Sequence, residues 1–246
     1  MNQNSQKVAI VTGASRGIGA AVARRLARDG LTVVVNYAGG AKTADEVVGE
    51  IEAAGGTAIS AQADVSKSAD VRRLFDTAHD LYGGVDVLVN NAGVMALAHV
   101  ADFKDADFDR LFAVNVKGSY NTMREAATRI REGGRIVNVS SSVVGLLQPG
   151  YAAYAATKAA IEATTMVLAR ELRGRQVTVN AIAPGPTATD LFLDGKSADL
   201  VDRLAKLAPL ERLGTPDDIA AAVAFLAGAD GGWINGQVLR ANGGII

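Results

Sequence analysis

The chain alternates short runs of apolar, mostly β-branched residues with longer segments whose apolar residues recur at helical spacing. The short runs are typical of strands buried on both faces of a parallel sheet, and the longer segments of amphipathic helices. Glycine or proline marks many of their ends. We predict strands at 7–11, 32–35, 57–62, 85–89, 135–139, 177–181 and 237–239, and helices at 17–29, 41–54, 68–81, 105–131, 151–173 and 217–227.

This alternation runs through the chain without a linker or a change in composition, which predicts an α/β fold. We expect a Rossmann-type doubly wound parallel sheet of about seven strands, with helices on both faces in three layers. One domain over residues 1–246 is the expected organisation.

Composition excludes several classes of protein. Lys plus Arg number 25 and Asp plus Glu 26, so the net charge of −1 argues against nucleic-acid binding. The chain has no cysteine, which excludes disulfides and thiolate sites, and we expect no metal. Residues 1–7 lack the apolar core of a signal peptide, and the uncharged stretch 136–157 is too polar to span a bilayer. We expect a soluble, cytoplasmic protein.

Gly13, Gly17 and Gly19 lie in the turn between the first predicted strand and the first predicted helix. Glycine here permits a tight turn and lets a pyrophosphate reach the free N–H groups of the helix N-terminus. The spacing G-x-x-x-G-x-G departs from the more frequent G-x-G-x-x-G. Its position after the first strand nevertheless favours dinucleotide binding.

The same turn also matches the G-x-S-x-G elbow of α/β-hydrolases, with Ser15 as the nucleophile. That mechanism needs an acid and then a histidine downstream, but the only histidines, His79 and His99, lie far from the C-terminus. A single preceding strand also leaves little sheet on which to present a nucleophile. We therefore reject the hydrolase interpretation.

The end of the second predicted strand indicates which dinucleotide binds. Asn36, Tyr37 and Ala38 include no acid for the ribose 2′-hydroxyl of NAD, and Arg16 lies in the glycine turn. We predict NADP(H), with Arg16 and Asn36 near the 2′-phosphate and Lys42 as a weaker candidate. NAD(H) is the alternative.

Tyr154 and Lys158 lie four residues apart on one predicted helix, so both can point into the same cleft. A cation beside a phenol favours the ionised form, which brings the pKa towards the range of a general acid or base. Further polar or small residues follow the fourth, fifth and sixth predicted strands, at the sheet edge where ligands bind in parallel sheets. One more polar residue lies within the helix predicted at 105–131. These are residues 90–93, Ser140 to Ser142, Pro184 with Gly185, and Asn115.

In this order and spacing, the motifs resemble the single-domain branch of the short-chain dehydrogenases/reductases from Lys7 to the C-terminus. Within that family the chain is most similar to bacterial 3-oxoacyl-[acyl-carrier-protein] reductases and to related sugar and alcohol dehydrogenases. The Tyr–Lys spacing excludes divergent enoyl reductases, in which it is longer. The chain also lacks the length for the C-terminal substrate domain of extended epimerases.

The resemblance implies hydride transfer between NADP(H) and a carbonyl or secondary alcohol. Tyr154 would protonate the carbonyl oxygen, and Lys158 would lower the Tyr154 pKa and hold the nicotinamide ribose. Ser141 would hydrogen-bond the substrate oxygen. Asn115 would position a water that links Lys158 to solvent. The family is usually tetrameric through the helices that carry Asn115 and Tyr154, so we expect a homotetramer.

The resemblance also implies which residues contact the cofactor. Asp64 and Val65 would contact the adenine, Asn91 and Gly93 the adenosine ribose, and Thr187 the carboxamide. The full implied set is Gly13, Ser15, Arg16, Gly17, Ile18, Gly19, Asn36, Asp64, Val65, Asn91, Ala92, Gly93, Tyr154, Lys158, Pro184, Gly185 and Thr187.

A substrate lid is expected at about residues 185–216, with Leu191, Phe192 and Leu193 on its apolar side. Burial of these three in the core is the alternative. Ser142, Gln148 and Phe192 are the candidate substrate contacts, and Leu146 and Leu147 would face the same pocket.

Two alternatives stay open. Counting back from Tyr154 gives Ser141 as the catalytic serine, whereas counting back from Gly145 gives Ser142, and we favour Ser141. The second alternative is a dinucleotide-binding module that has lost turnover, although the chain lacks none of the catalytic side chains.

Overall fold

The computed structural model describes residues 6–246. The expectation that residues 1–7 are not a signal peptide therefore falls mostly outside the described residues. Seven strands form one parallel sheet in the order β3-β2-β1-β4-β5-β6-β7. The strands are β1 (Val8–Val11), β2 (Thr32–Tyr37), β3 (Thr57–Gln62), β4 (Val85–Asn90), β5 (Ile130–Val139), β6 (Thr178–Pro184) and β7 (Val238–Ala241).

Helices cover both faces of the sheet, which confirms the predicted Rossmann-type three-layer α/β fold. They are α1 (Gly17–Arg28), α2 (Ala41–Ala53), α3 (Ser68–Tyr82), α4 (Asp105–Phe112), α5 (Ser119–Arg129), α6 (Val143–Leu146), α7 (Ala152–Glu171), α8 (Asp190–Leu193), α9 (Ala198–Ala205) and α10 (Pro216–Ala227). A short 3₁₀ helix spans Val100–Asp102, and a π turn spans Ala113–Gly118.

The core consists of two apolar layers, one on each face of the sheet. Val11 packs towards Leu26 of α1 in one layer, and Ile10 towards Phe75 of α3 and Leu168 of α7 in the other. Because successive strand residues point to opposite faces, strands buried on both faces need continuous apolar runs, as the sequence pattern has.

Strands β2 and β3 lie on one side of β1, and strands β4 to β7 lie on the other. The order in which strands are added to the sheet therefore switches from one side to the other between β1 and β4. In open parallel sheets the crevice at such a switch point binds the ligand at the carboxyl ends of the strands. This edge carries the glycine turn, residues 90–93 and the serine cluster.

Two elements differ from their predicted form. The helix predicted at 105–131 is divided by the π turn at Ala113–Gly118, and it ends at Arg129. Strand β5 begins at Ile130, earlier than predicted, with an irregularity in its pairing to β4 between Val85 and Val87. The π turn is a single turn within an otherwise helical segment, and the sequence pattern did not reveal it.

Candidate active site

The glycine turn fits tightly against the segment that follows β4. Gly13 and Gly17 adopt φ of 60° and 56°, in the left-handed region that favours glycine. A Cβ on Gly13 would lie 2.8 Å from Ala92 Cα, and one on Gly19 would lie 2.5 Å from Asn91 Nδ2. Each glycine is therefore required by backbone conformation or by close packing.

Polar side chains hold this turn in place. The Asn91 amide donates to the carbonyls of Thr12 and Gly13 at 2.9 and 3.0 Å. The Thr12 hydroxyl accepts from the backbone N–H groups of Asn91 and Ala92, both at 3.0 Å. Helix α1 begins just beyond, and its N-cap residue Arg16 makes no side-chain capping hydrogen bond. The first N–H groups of α1 can therefore meet a phosphate.

A cleft of about 540 Å³ lies over this turn. Its lining contains most of the implied cofactor residues: Gly13, Ser15, Arg16, Gly17, Ile18, Asn36, Asp64, Val65, Asn91, Ala92 and Gly93. Gly19 is buried behind the turn and contributes by close packing. Lys42 is 91% exposed, interacts with Glu46 at 4.0 Å and is not among the lining residues.

Asn36 differs from its predicted role at the 2′-phosphate. Its side chain points inward, where Nδ2 donates to the carbonyls of Ala61 and Ala63 at 3.2 and 3.0 Å. Its Oδ1 accepts from Gly13 N–H at 3.3 Å. Because these bonds occupy the amide, the structure assigns Asn36 to support of the glycine turn. Arg16 remains exposed at the cleft.

A second cavity, of about 170 Å³, adjoins the first and shares Ile18, Asn91 and Gly93 with it. It collects the remaining cofactor candidates and the catalytic and substrate candidates other than Asn115. These are Ser141, Ser142, Gln148, Tyr154, Lys158, Pro184, Gly185, Thr187 and Phe192. The two cavities together form one site, with the larger cleft over the glycine turn and the smaller pocket beside Tyr154.

Tyr154 and Lys158 lie on the same side of α7, with the Lys158 ammonium 5.7 Å from the centre of the Tyr154 ring. Burial raises the pKa of Tyr154 to about 12, while a hydrogen bond with the Ser141 hydroxyl lowers it. Burial lowers the pKa of Lys158 to about 8. The expected lowering of the phenol pKa by the ammonium is not seen in this structure, because desolvation dominates and Lys158 donates instead to the Val139 carbonyl at 2.8 Å.

The two candidate serines have different partners. Ser142 is 2% exposed, and its hydroxyl donates to the Ala183 carbonyl at 3.2 Å and accepts from Asn242 at 3.0 Å. The Ser141 hydroxyl accepts from Val143 N–H at 3.3 Å, and Ser141 lines the same cavity as Tyr154, whose pKa a hydrogen bond with Ser141 lowers. Because the Ser142 hydroxyl is occupied by Ala183 and Asn242, Ser141 is the better candidate for the serine beside the reacting atoms.

Asn115 lies in the π turn and is 1% exposed. Its Oδ1 accepts from Val94 N–H at 2.8 Å, and its Nδ2 donates to the Val94 carbonyl at 2.9 Å and to Thr157 at 3.2 Å. The amide thus joins α7 to the segment after β4. A Cβ on Gly93 would lie 3.3 Å from Asn115 Oδ1 and 3.8 Å from Lys158 Nζ, so the three residues are close neighbours.

The segment after β6 forms the outer wall of the smaller cavity. Helix α8 contains no buried residue, which contradicts the alternative that Leu191, Phe192 and Leu193 belong to the core. Leu191 and Phe192 line the cavity, whereas Leu193 does not. Leu146 also lines it, but Leu147 is 71% exposed and is absent from the lining, so its prediction was wrong.

Sequence reasoning missed several residues of this cavity: Met95, Tyr151, Leu204, Leu207 and Ile245. Tyr151 alone carried a usable signal, because it precedes Tyr154 by about one helical turn. Burial raises its pKa, and its charge when ionised would raise the pKa of Tyr154. The others come from distant segments that only the fold brings together.

A family model described as "Enoyl-(Acyl carrier protein) reductase" matches residues 13–246. A short-chain type dehydrogenase/reductase of Picea abies is 47% identical over 97% of this chain and 92% of that protein. The chain belongs to the short-chain dehydrogenase/reductase family. Short-chain dehydrogenases/reductases are oxidoreductases that use a nicotinamide dinucleotide and act on small molecules, and the chain shares that general activity.

Two further short-chain dehydrogenase/reductase relatives carry more specific descriptions. An Arabidopsis thaliana protein named NADPH-dependent aldehyde reductase-like is 43% identical over 98% of this chain and 94% of its own length. The crystal structure of a Burkholderia cenocepacia short-chain dehydrogenase in complex with NADP superposes with a TM-score of 0.92. It is 41% identical and covers 99% of both chains.

Residues 6–246 of this short-chain dehydrogenase/reductase contain neither a membrane-spanning helix nor a metal-binding cluster. None of the helices in this range combines the length and the apolar character needed to cross a membrane. Within the same range, no cluster of three or more His, Cys, Asp or Glu side chains has a geometry suited to a metal ion.

Proposed function

We propose that the protein transfers a hydride reversibly between NADP(H) and a carbonyl or secondary alcohol. The observation that carries this proposal is that Ser141, Tyr154 and Lys158 line one cavity, and that this cavity adjoins the glycine-lined cleft. A proton donor and a hydroxyl beside it are what a carbonyl oxygen needs as it becomes an alkoxide.

The glycine cleft suits a dinucleotide because the turn keeps its tight form only with glycine: a Cβ at Gly13 or Gly19 would clash with Ala92 or Asn91 and displace the turn. The N-terminus of α1 would hold the pyrophosphate, and we expect the nicotinamide end to reach Thr187 and Gly185, which line the adjoining cavity. When bound there, the nicotinamide supplies or accepts the hydride.

The protein's own groups handle the proton. The Tyr154 pKa of about 12 keeps the phenol protonated near neutral pH, so in the reductive direction it can donate a proton to the carbonyl oxygen. Ser141 would donate a hydrogen bond to the same oxygen. Lys158 lines the same cavity, where we expect it to contact ribose hydroxyls, and we expect Asn115, which lies close to Lys158, to support a proton path beside it.

NADP(H) is the proposed cofactor in preference to NAD(H). Arg16 is exposed at the cleft and β2 ends without an acid, which suits a 2′-phosphate. The Burkholderia cenocepacia relative was crystallised with NADP, and the Arabidopsis thaliana relative is named NADPH-dependent. Binding titrations that give tighter affinity for NADH than for NADPH would contradict this choice.

The proposed substrate is an aldehyde or ketone with an apolar substituent, including the 3-oxoacyl thioesters implied by the resemblance. Val94, Met95, Leu146, Leu191 and Phe192 give the cavity an apolar wall that suits an acyl chain or a ring better than a polyol. The name of the Arabidopsis thaliana relative, an aldehyde reductase-like protein, points to carbonyl reduction. Sugar and polyol oxidation is the alternative.

Enoyl reduction is a second candidate, favoured only by the description of the matching family model. Tyr154 and Lys158 are four residues apart, whereas the divergent enoyl reductases that resemble the chain have a longer spacing. A panel that contains enoyl thioesters beside ketones, aldehydes, 3-oxoacyl thioesters and polyols separates these reactions by nicotinamide absorbance.

The decisive experiment compares wild type with Tyr154→Phe on that panel. We expect carbonyl reduction with NADPH by wild type, a loss of at least about 100-fold in kcat for the variant, and unchanged NADPH binding. NADPH binding without turnover of any panel member would instead support the non-catalytic binding module. Full activity of Tyr154→Phe would remove the proposed proton donor.

We also propose that the protein is a single-domain homotetramer. Apolar side chains on the helices around the site are exposed in the isolated chain: Phe108, Tyr120, Met166 and Val167 are 42–55% exposed. Such exposure on α4, α5 and α7 is consistent with subunit contacts. Sedimentation analysis tests the assembly, and a monomer would contradict it. A cytoplasmic location stays a prediction.

A further inference from the structure

One hydrogen bond between β5 and α7 has no part in the proposed reaction. The Ser140 hydroxyl, on a residue 2% exposed, donates to Glu162 Oε1 at 2.7 Å. Glu162 lies one helical turn beyond Lys158 on α7. A hydroxyl-to-carboxylate bond is stronger than one between neutral groups, so it constrains the strand end and the helix more firmly.

The two ends of this bond face different cavities. Ser140 lies in the wall of the candidate active site, but its hydroxyl points to Glu162. Glu162 lines another cavity, of about 490 Å³, together with Met166 and Arg240, and Ser141 and Ser142 line both this cavity and the candidate active site. The Glu162 carboxylate is therefore placed to hold the protein's own backbone elements, and it does not line the cavity where substrate would bind.

The residues on either side of Ser140 carry the contacts that matter for the reaction. Val139 supplies the carbonyl that accepts from Lys158 at 2.8 Å, and Ser141 lines the cavity that Tyr154 of α7 also lines. Any shift between the end of β5 and α7 would alter the Lys158 bond and the placement of Ser141 relative to Tyr154 at once. The Ser140–Glu162 bond is thus located where it can fix both.

Another tie between the same elements lies deeper and belongs to the core. Asn138, which is fully buried, donates to Thr165 at 2.8 Å, and both are joined to further buried polar groups. That network supports folding and explains why α7 would stay in place without Glu162. The Ser140–Glu162 bond is nearest to the reacting groups and controls the finer placement.

We propose that Ser140 and Glu162 are positioning residues whose hydrogen bond holds the end of β5, which carries Ser141, in place against α7, which carries Tyr154 and Lys158. The inference rests on the proposed reaction for its kinetic consequence, but the geometry it concerns exists without substrate. Neither residue is a catalytic residue, because both act through Ser141 and Tyr154.

Kinetics of Ser140→Ala, Glu162→Ala and Glu162→Gln test the proposal, with Glu171→Ala as a control for an exposed glutamate of the same helix. Since misplacement of reacting groups lowers the rate more than binding, we expect both alanine variants to lose about 10-fold in kcat with the KM for NADPH changed less than about twofold. Glu162→Gln keeps an acceptor oxygen and should retain activity, as should Glu171→Ala. The double alanine variant should be no worse than either single one.

A second readout needs no substrate. In protein labelled with ¹³C at the tyrosine ζ-carbon, Tyr154→Phe identifies the Tyr154 signal among the five tyrosines. Both alanine variants should shift this signal, and Glu162→Gln and Glu171→Ala should leave it in place. An unmoved signal with unchanged kcat, or equal losses in Glu162→Gln and Glu162→Ala, would overturn the proposal. A shifted signal in a protein that reduces no panel compound would support positioning while contradicting the proposed function.

Discussion

The Lys158 ammonium donates a 2.8 Å hydrogen bond to the backbone carbonyl of Val139. This bond places a cation with 6% exposure at the carboxyl end of β5, beside the groups that would contact substrate and cofactor. One carbonyl does not replace the hydration of an ammonium, so the charged form is disfavoured and the pKa falls. The structure therefore links a buried functional group to the pH dependence of folding.

The first prediction concerns stability against pH. Burial lowers the Lys158 pKa from 10.5 to about 8, so between these values the unfolded chain binds more protons at this position than the folded chain. The contribution of Lys158 to the free energy of unfolding should therefore rise with pH over this window. Denaturant unfolding of wild type and Lys158→Met from pH 7 to 10 measures it.

Lys158→Met should lack this rise, and the difference between the two proteins should change steadily above pH 8. Measurements stop at pH 10 because the raised Tyr154 pKa acts in the opposite sense above the ordinary tyrosine value of 10.0. Parallel pH profiles for the two proteins would show that Lys158 has an ordinary pKa.

The second prediction separates the two candidate serines. Ser141→Ala removes the hydroxyl beside Tyr154 and should lower kcat by about 100-fold with little change in stability. Ser142→Ala breaks the bonds to Ala183 and Asn242 and should cost about 1 kcal/mol of stability, with the smaller effect on kcat. Steady-state kinetics and unfolding of both variants decide it. A larger kcat loss in Ser142→Ala would reverse the assignment.

Much of the fold could be read from the sequence because its signals are local. Strand β3 was predicted with its observed bounds, since Gly55 and Gly56 mark its start, and α1 and α2 to within one residue, since apolar period and a following glycine specify these helices. The π turn at Ala113–Gly118 could not be read in this way. It is stabilised by contacts of Asn115 with Val94 and Thr157, which are distant in sequence.

The candidate site was predictable as a set of residues but not in its detailed geometry. Spacing placed Tyr154 and Lys158 on one helical face, as observed. The inward orientation of Asn36 and the raised pKa of Tyr154 depend on burial and on partners from other strands. Sequence spacing carries no information on desolvation, so the predicted direction of that pKa shift was wrong.

The third prediction tests cofactor recognition. Arg16→Ala should weaken NADPH binding by about 10-fold and leave NADH binding nearly unchanged, because only NADPH offers a 2′-phosphate to the guanidinium. Lys42→Ala is the matched control, since Lys42 is 91% exposed and absent from the cleft lining. Equal losses for both nucleotides in Arg16→Ala would place the charge at the pyrophosphate, and a loss only in Lys42→Ala would contradict the assignment.

The fourth prediction contrasts two glycines. Gly19→Ala would put a Cβ 2.5 Å from Asn91 Nδ2, so the turn must shift, and we expect a loss of about 1–3 kcal/mol of stability together with weaker NADPH binding. Gly49 lies in the interior of α2, where an added Cβ would have no neighbouring atom within 4 Å, and Gly49→Ala should instead stabilise the protein by about 0.5–1 kcal/mol. Denaturant unfolding and NADPH titration of both variants provide the comparison.

Because the two substitutions add the same methyl group, opposite signs would show that the turn around Asn91, and not the loss of glycine flexibility, limits the site. Stabilisation of Gly19→Ala with intact NADPH binding would contradict the close packing described for the turn.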